Sequence, residues 1–161
     1  MGGGSATCFH LVSEPFGYLS NWYDSSFEFN GLQFSCVEHY MMYCKAMLFG
    51  DSATALGILT TSDPAEMKRL GRSVRNYVDS RWAAVRYGVV KRGVLAKFEQ
   101  NPELRNEFLS TAGEFAECAK NDLVWGIGLD RQDPDRWDRT KWRGQNLLGF
   151  ALQEVYTELK E

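Results

Sequence analysis

The sequence predicts an α+β fold that is predominantly α-helical, in one domain with a small antiparallel β element near the N-terminus. Helix-start signals and helical periodicity dominate from residue 35 onward, and a single hairpin signal precedes them. Of 161 residues, 44% are hydrophobic and 14% aromatic, which indicates a packed core and excludes a disordered chain. Residues 1–5 read Met-Gly-Gly-Gly-Ser, so we expect a flexible leader over residues 1–8 and the domain over residues 9–161.

The first predicted element is a β-hairpin over residues 27–34, which read Phe-Glu-Phe-Asn-Gly-Leu-Gln-Phe. Apolar and polar residues alternate on both sides of Asn30-Gly31, and this dipeptide favours a type I′ turn.

Helix signals follow. Ser35 with Glu38 three residues later forms a capping-box pattern, and Gly50 is a suitable stop for this first helix. Asp63-Pro64 starts another helix with proline at the first helical position. Residues 79–100 carry a long helical pattern.

Two more helices are predicted toward the C-terminus. Asn101-Pro102-Glu103 opens one that runs to about Thr111, and an apolar stripe predicts the last from about Asn146 to Leu159. Between them, residues 130–143 are too polar for a core and carry two tryptophans, which indicates an ordered surface loop.

The distribution of charge, histidine and cysteine limits the classes of binding site that the protein can have. The net charge of −3 gives no global signature of nucleic-acid binding, but residues 68–97 hold nine Lys or Arg and one acid, Asp79. Such a stretch is either a solvated helix surface or a face that holds phosphates. Two histidines exclude a three-histidine zinc site, and four cysteines without a Cys-x-x-Cys pair favour a reducing, cytoplasmic location. We expect no bound metal and no membrane span.

Glu38 and Lys45 are the first candidates for chemistry. They lie seven positions apart, so at about 100° per residue they share nearly one helix face. Glu38 either serves the capping box or faces a polar pocket as a carboxylate. Lys45 is either a surface lysine or a desolvated amine that is nucleophilic toward a sugar aldehyde. His39 is more often a packed histidine than a base.

Two glycine-containing motifs are the second candidates. In residues 121–128, two glycines beside a tryptophan allow close approach of a ligand, and Asp122 can bond ribose hydroxyls or water; the alternative is a tight turn. Residues 144–149 open the last helix, where N–H groups suit a phosphate; the alternative is an Asn N-cap. Trp82 belongs to the core or stacks on a base.

Taken in order along the chain, these motifs resemble the NADAR, or YbiA-like, family from about Phe9 to the C-terminus. Residues 16–23, Phe-Gly-Tyr-Leu-Ser-Asn-Trp-Tyr, resemble the family's opening motif, and residues 37–46 resemble its Glu-His-Tyr motif with the lysine that follows. The sequence departs from the family at Trp22, where Phe is more usual, and in the long segment 130–143. Further motifs follow in the family's order: Gly71-Arg72, Trp82, residues 95–98, residues 101–104, residues 121–128 and residues 144–149.

The resemblance implies an N-glycosidase that needs no cofactor. Some family members resemble hydrolases that release ADP-ribose from guanine bases of nucleic acid, and others act on phosphoribosylamino-pyrimidine intermediates of riboflavin synthesis. A non-catalytic ADP-ribose or nucleotide reader is the third alternative. The implied partner is an ADP-ribose-containing substrate, with ADP-ribosylated DNA or RNA as its carrier and no membrane.

The resemblance also implies the site. It assigns catalytic positions to Glu38, Lys45 and Asp122. It assigns substrate-binding positions to Ser20, Asn21, Trp22, His39, Tyr40, Arg72, Trp82, Trp125, Gly126, Ile127, Gly128, Asn146, Leu147 and Gly149.

Overall fold

The computed structural model describes residues 6–111 and 114–161, which fall into two compact units. One unit is Asp24–Asn101, and the other combines the chain up to Tyr23 with Pro102–Glu161. Residues 1–5 of the predicted leader lie outside the described residues. Thr7 and Cys8, which we also assigned to the leader, instead belong to a strand, because their backbone pairs with a second strand far along the chain.

The unit Asp24–Asn101 begins with the predicted hairpin. Strands β2 (Phe27–Phe29) and β3 (Leu32–Phe34) pair antiparallel, with Phe27 opposite Phe34. Asn30 and Gly31 both have positive φ, 52° and 82°, as a type I′ turn requires, so this prediction is confirmed.

Four helices complete this unit: α1 (Val37–Leu48), α2 (Ser52–Thr60), α3 (Pro64–Arg72) and α4 (Asp79–Gln100). The start of α3 is confirmed, since the Asp63 carboxylate accepts a hydrogen bond from the Ala65 N–H at 3.1 Å. Helix α2 was not predicted. It is short and starts where the Asp51 carboxylate accepts from the Thr54 N–H at 3.1 Å.

The capping box predicted for α1 is wrong. The N-cap residue is Cys36, and the Ser35 N–H donates to Nδ1 of His39 at 3.1 Å. His39 lies one position beyond Glu38 and is buried against this turn, so its ring nitrogen takes the acceptor role that we expected of Glu38.

Helix α1 packs against α2, α3 and α4 in the core of this unit. Gly71 in α3 allows a close approach to α1, because a Cβ there would lie 2.2 Å from Sδ of Met42. This approach brings the backbone of α3 within reach of side chains on α1.

The other unit contains β1 (Thr7–Phe9), α5 (Pro102–Ser110), β4 (Phe115–Glu117) and α6 (Leu147–Lys160). Strands β1 and β4 are parallel, with Cys8 opposite Ala116, and α6 packs on β4 and α5. This pair was not predicted, since three residues are too few to show alternation.

The charged segment 130–143 is ordered, as predicted. It forms two 3₁₀ turns, Pro134–Trp137 and Arg139–Lys141, and Trp142 is anchored by its Nε1–H, which donates to the Arg136 carbonyl at 2.9 Å. In the part of the chain described, no helix is long and apolar enough to cross a lipid bilayer.

Candidate active site

Lys45 lies on the last turn of α1 in a half-buried position. Its Nζ donates to the Gly71 carbonyl at 2.8 Å and lies 4.7 Å from the centroid of the Tyr77 ring. Burial lowers the pKa of Lys45 from its ordinary value, and the charges of Glu38 and Asp79 oppose this shift. Lowering the pKa enlarges the fraction of neutral amine near pH 7, which a lysine nucleophile requires.

Two carboxylates act on this amine. Glu38 lies on the first turn of α1 and Asp79 on the first turn of α4, and each raises the pKa of Lys45. The Asp79 carboxylate is oriented by the Tyr77 hydroxyl, which donates to it at 2.7 Å. The shared helix face predicted for Glu38 and Lys45 therefore gives an electrostatic interaction between them.

His39 is a packed histidine. Its Nε2–H donates to the Ile58 carbonyl at 2.6 Å, while Nδ1 accepts from the Ser35 N–H. The side chain is buried, and desolvation lowers the pKa of His39, so the ring is neutral and ties α1 to α2. Both ring nitrogens have backbone partners. Its predicted contact with substrate stays a prediction.

Three other predicted residues of this unit have distinct positions. Tyr40 is buried in an aromatic cluster, 5.1 Å from the Phe34 ring in an edge-on arrangement. Trp82 is buried near the start of α4, whereas Arg72 is exposed at the end of α3, next to the carbonyl that accepts from Lys45.

Sequence reasoning missed Tyr77, Asp79 and Arg86 as parts of this site. The Nε of Arg86 is buried and has no hydrogen-bond partner. The Tyr77 pKa is raised by burial and by its bond to Asp79, and the positive charge of Arg86 opposes that rise. A signal was present in the sequence: Asp79, Trp82 and Arg86 are spaced for one face of α4.

In the other unit, Asp122 shapes a loop. Its Oδ1 accepts from the Val124 N–H at 3.0 Å and from the Trp125 N–H at 2.8 Å. Gly126 and Gly128 permit close approach, as predicted for this motif, but to the chain itself: a Cβ would lie 2.9 Å from the Glu117 carbonyl oxygen and from the Arg143 Cβ, respectively. Ile127 between them is fully buried and Trp125 half-buried.

The start of α6 is bonded to this loop. The N–H groups of Asn146, Leu147 and Leu148 donate to the carbonyls of Gly126, Val124 and Trp125 at 2.9, 3.1 and 3.2 Å. The expectation that these N–H groups hold a phosphate is therefore wrong, because the loop already accepts from them.

Asn146 and Gly149 hold β4 in place. Asn146 is the N-cap residue of α6, as one alternative predicted, but its side chain makes no capping bond. The side chain instead donates to the Phe115 carbonyl at 2.9 Å and accepts from the Glu117 N–H at 3.1 Å, so it bridges α6 and β4. A Cβ at Gly149 would lie 2.2 Å from the Phe115 carbonyl oxygen. A role in substrate binding for Asn146, Leu147 and Gly149 stays a prediction.

The opening motif of this unit carries one unpaired polar atom. The Ser20 hydroxyl accepts from the Trp22 N–H at 3.1 Å. Asn21 is buried, and its Oδ1 has no hydrogen-bond partner. A buried acceptor without a donor is costly, and a ligand that donates a hydrogen bond would remove this cost.

The structure thus assigns Glu38 and Lys45 to one cluster, and Asp122 to the loop that meets α6. Within the described residues, no cluster of His, Cys, Asp and Glu is arranged to hold a metal ion.

The protein is a helical α+β protein with a carboxylate–lysine cluster that includes Glu38 and Lys45 on α1. Comparison with known proteins shows its family. The model of the NADAR domain matches residues 8–160, so the chain belongs to the NADAR family. It is 37% identical over 146 residues to the N-glycosidase R617 of Acanthamoeba polyphaga mimivirus, covering 87% of this chain and 86% of that protein.

Two further comparisons bear on fold and substrate. The NMR structure of the Escherichia coli protein YbiA is similar with a TM-score of 0.80 and 28% identity, covering 98% of this chain and 86% of that one. The riboflavin biosynthesis protein VVA0006 of Vibrio vulnificus is 30% identical over 154 residues, covering 95% of this chain and 38% of that protein. The predicted fold class is confirmed.

Proposed function

We propose that this protein is an N-glycosidase that hydrolyses a ribose C1–N bond and removes ADP-ribose from guanine bases of nucleic acid. The observation that carries the proposal is the half-buried Lys45 amine, whose pKa is lowered by burial and raised by the charges of Glu38 and Asp79. Relatives that match most of the chain, R617 and YbiA, are named N-glycosidases, which supports the reaction class.

The chemistry follows from this arrangement. Lengthening the C1–N bond builds positive charge on the ribose, and the Glu38 carboxylate stabilises it. The neutral Lys45 amine bonds to C1 as the C1–N bond breaks, and the base leaves with a proton that the amine gives up. The bond from C1 to the ring oxygen then breaks, the ring oxygen takes a proton and becomes a hydroxyl, and a protonated imine forms. Water then adds to the imine carbon, the bond from C1 to Lys45 breaks, and the sugar aldehyde and the amine are restored.

The positive charge near the cluster supports a diphosphate substrate. Arg86 has a buried Nε without a partner, and the Arg81 guanidinium lies 5.3 Å from the centroid of the Phe49 ring. A guanidinium group can donate two parallel hydrogen bonds to the oxygens of one phosphate. ADP-ribose has two phosphates for such contacts, whereas the riboflavin intermediates carry one.

The second candidate is a glycosidase of riboflavin intermediates. The relative from Vibrio vulnificus, whose name gives it a role in riboflavin biosynthesis, favours this candidate because it matches 95% of the chain.

The test is a direct comparison of substrates. The protein is incubated with a guanine oligonucleotide that carries ADP-ribose and, separately, with the phosphoribosylamino-pyrimidine, and the products are identified by mass spectrometry. We expect ADP-ribose and the unmodified oligonucleotide from the first reaction only. Turnover of the pyrimidine alone would establish the second candidate, and ADP-ribose binding with no turnover of either would make the protein a reader.

A further inference from the structure

Cys8 and Cys118 form a pair of thiols in direct contact. They lie on neighbouring parallel segments, where the Cys118 N–H donates to the Phe9 carbonyl at 2.8 Å. The two sulfur atoms are 2.6 Å apart, and the Cys118 thiol is the donor. The residues are 110 positions apart in the sequence, so the fold is what brings them together.

The two cysteines differ in access to solvent. Cys118 is fully buried in a cluster with Ala116, Ile127 and Leu129, whereas Cys8 packs against this cluster and is half-buried. A half-accessible sulfur beside a shielded one is the arrangement in which an oxidant reaches one cysteine and the other resolves the product.

The surroundings of Cys8 favour the reactive thiolate. The hydrogen bond from the Cys118 thiol lowers the pKa of Cys8, and the positive charges of Arg136 and Arg131 lower it further against the effect of burial. The same bond and burial raise the pKa of Cys118. These opposite shifts favour the thiolate at Cys8, the more accessible of the two sulfurs, over Cys118.

We propose that Cys8 and Cys118 are a modification site at which a hydroperoxide forms a reversible disulfide. The Cys8 thiolate attacks the peroxide, an S–O bond forms, the O–O bond breaks, and the alcohol or water leaves after taking a proton. The Cys118 sulfur then attacks Cys8, the S–S bond forms, the S–O bond breaks, and water leaves with the Cys118 proton. Two electrons pass from the two thiols to one hydroperoxide, and a dithiol reductant reverses the change.

This site is independent of the proposed glycosidase chemistry. Its oxidation would change the stability of the fold. The disulfide would tie β1 to the segment after β4, from which the Asp122 loop follows. Because it closes a loop of more than a hundred residues, it should raise the melting temperature by on the order of 10 °C.

The experiment oxidises the purified full chain with micromolar hydrogen peroxide, alkylates remaining thiols and maps the disulfide without reduction. Trypsin is unsuitable because the first Lys or Arg is Lys45, which leaves three cysteines in one peptide. A glutamyl endopeptidase separates them at Glu14 and Glu38 and frees Cys118 by cleavage after Glu117.

We expect one linked pair of peptides, containing Cys8 and Cys118, together with a loss of two hydrogen atoms that dithiothreitol reverses. Cys8→Ser and Cys118→Ala should not form the link, and Cys118→Ala should accumulate a sulfenic acid on Cys8 that dimedone traps. The double variant C36S/C44S is the matched control, because burial raises the pKa of both its target thiols, and it should behave like the natural chain. No link in the folded protein, a link only after denaturation, or a link through Cys36 or Cys44 would overturn the proposal.

Discussion

At the scale of single residues, the hydrogen bond from the Ser35 N–H to His39 shows which side chain caps the start of α1. The sequence left Glu38 with two possible roles, and this bond gives the capping role to the imidazole. Lys45 is resolved in the same way, because its Nζ contacts Gly71 and Tyr77 and is half-buried instead of extending into solvent. Both side chains thus have positions that catalysis can use.

Glu38→Gln should lower kcat by about 10²–10³-fold, since it removes a charge that stabilises the transition state. The fold should be retained, because the helix start depends on His39. Glu103→Gln is a matched control, as Glu103 occupies the same position in α5 and is exposed. Single-turnover kinetics on the ADP-ribosylated oligonucleotide measures the effect, and a folded Glu38→Gln protein with natural activity would exclude the catalytic role.

Arg86→Gln should weaken ADP-ribose binding with little change in stability. The natural chain should gain about 2.7 kcal/mol of stability at a hundredfold excess of ligand over its dissociation constant. The loss of one paired guanidinium–phosphate contact should cost about 1.5–3 kcal/mol of binding. Arg105→Gln, at a half-buried position in the other compact unit, is the control, and calorimetric titration gives both affinities. Equal affinities of the two variants would remove Arg86 from the site.

At the scale of elements, the sequence predicted those helices and turns that residues close together in the chain specify. The hairpin turn at Asn30-Gly31, the start of α3 at Asp63 and the bounds of α4 all follow from residues close together in the chain. Helix α2 was missed because its apolar residues form no stripe. The pairing of β1 with β4 and the bonds from residues 146–148 to the Asp122 loop join distant segments, which no local pattern specifies.

Asn146→Ala should destabilise the protein by about 2–4 kcal/mol. The substitution removes the side-chain hydrogen bonds to the Phe115 carbonyl and from the Glu117 N–H, and it places alanine at a φ of 54°. Gln145→Ala, at an exposed neighbouring position, should change stability by less than about 0.5 kcal/mol. Urea unfolding measures both. A stable Asn146→Ala protein with weak ligand binding would make Asn146 a ligand contact and not a bridge.

Lys97 in α4 should make stability depend on pH. Burial lowers its pKa from 10.5 to about 7 in the folded chain, so between these values the unfolded chain binds more protons. Stability therefore rises with pH across this window and is lost as pH falls through it, with a limiting slope of about 1.4 kcal/mol per pH unit. In Lys97→Met this contribution should vanish. Urea unfolding of both proteins from pH 7 to pH 10 tests this, and parallel curves would contradict it.

At the scale of the whole molecule, one family domain contains both compact units, since the NADAR model matches residues 8–160. Composition predicted the folded chain, and the order of motifs predicted the family. No local pattern predicted the lowered pKa of Lys45, because this pKa depends on burial by the fold and on charges from both α1 and α4.

The formation of an imine on Lys45 is tested most directly by adding borohydride during turnover of the ADP-ribosylated oligonucleotide. Reduction should leave a covalent ribose adduct on Lys45, identified by peptide mass spectrometry. Lys45→Ala should bind ADP-ribose without turnover, and Lys45→Arg should also be inactive, because a guanidinium retains the charge but is not a nucleophile. Full activity in Lys45→Ala, or turnover in the natural chain with no adduct on Lys45, would contradict this mechanism.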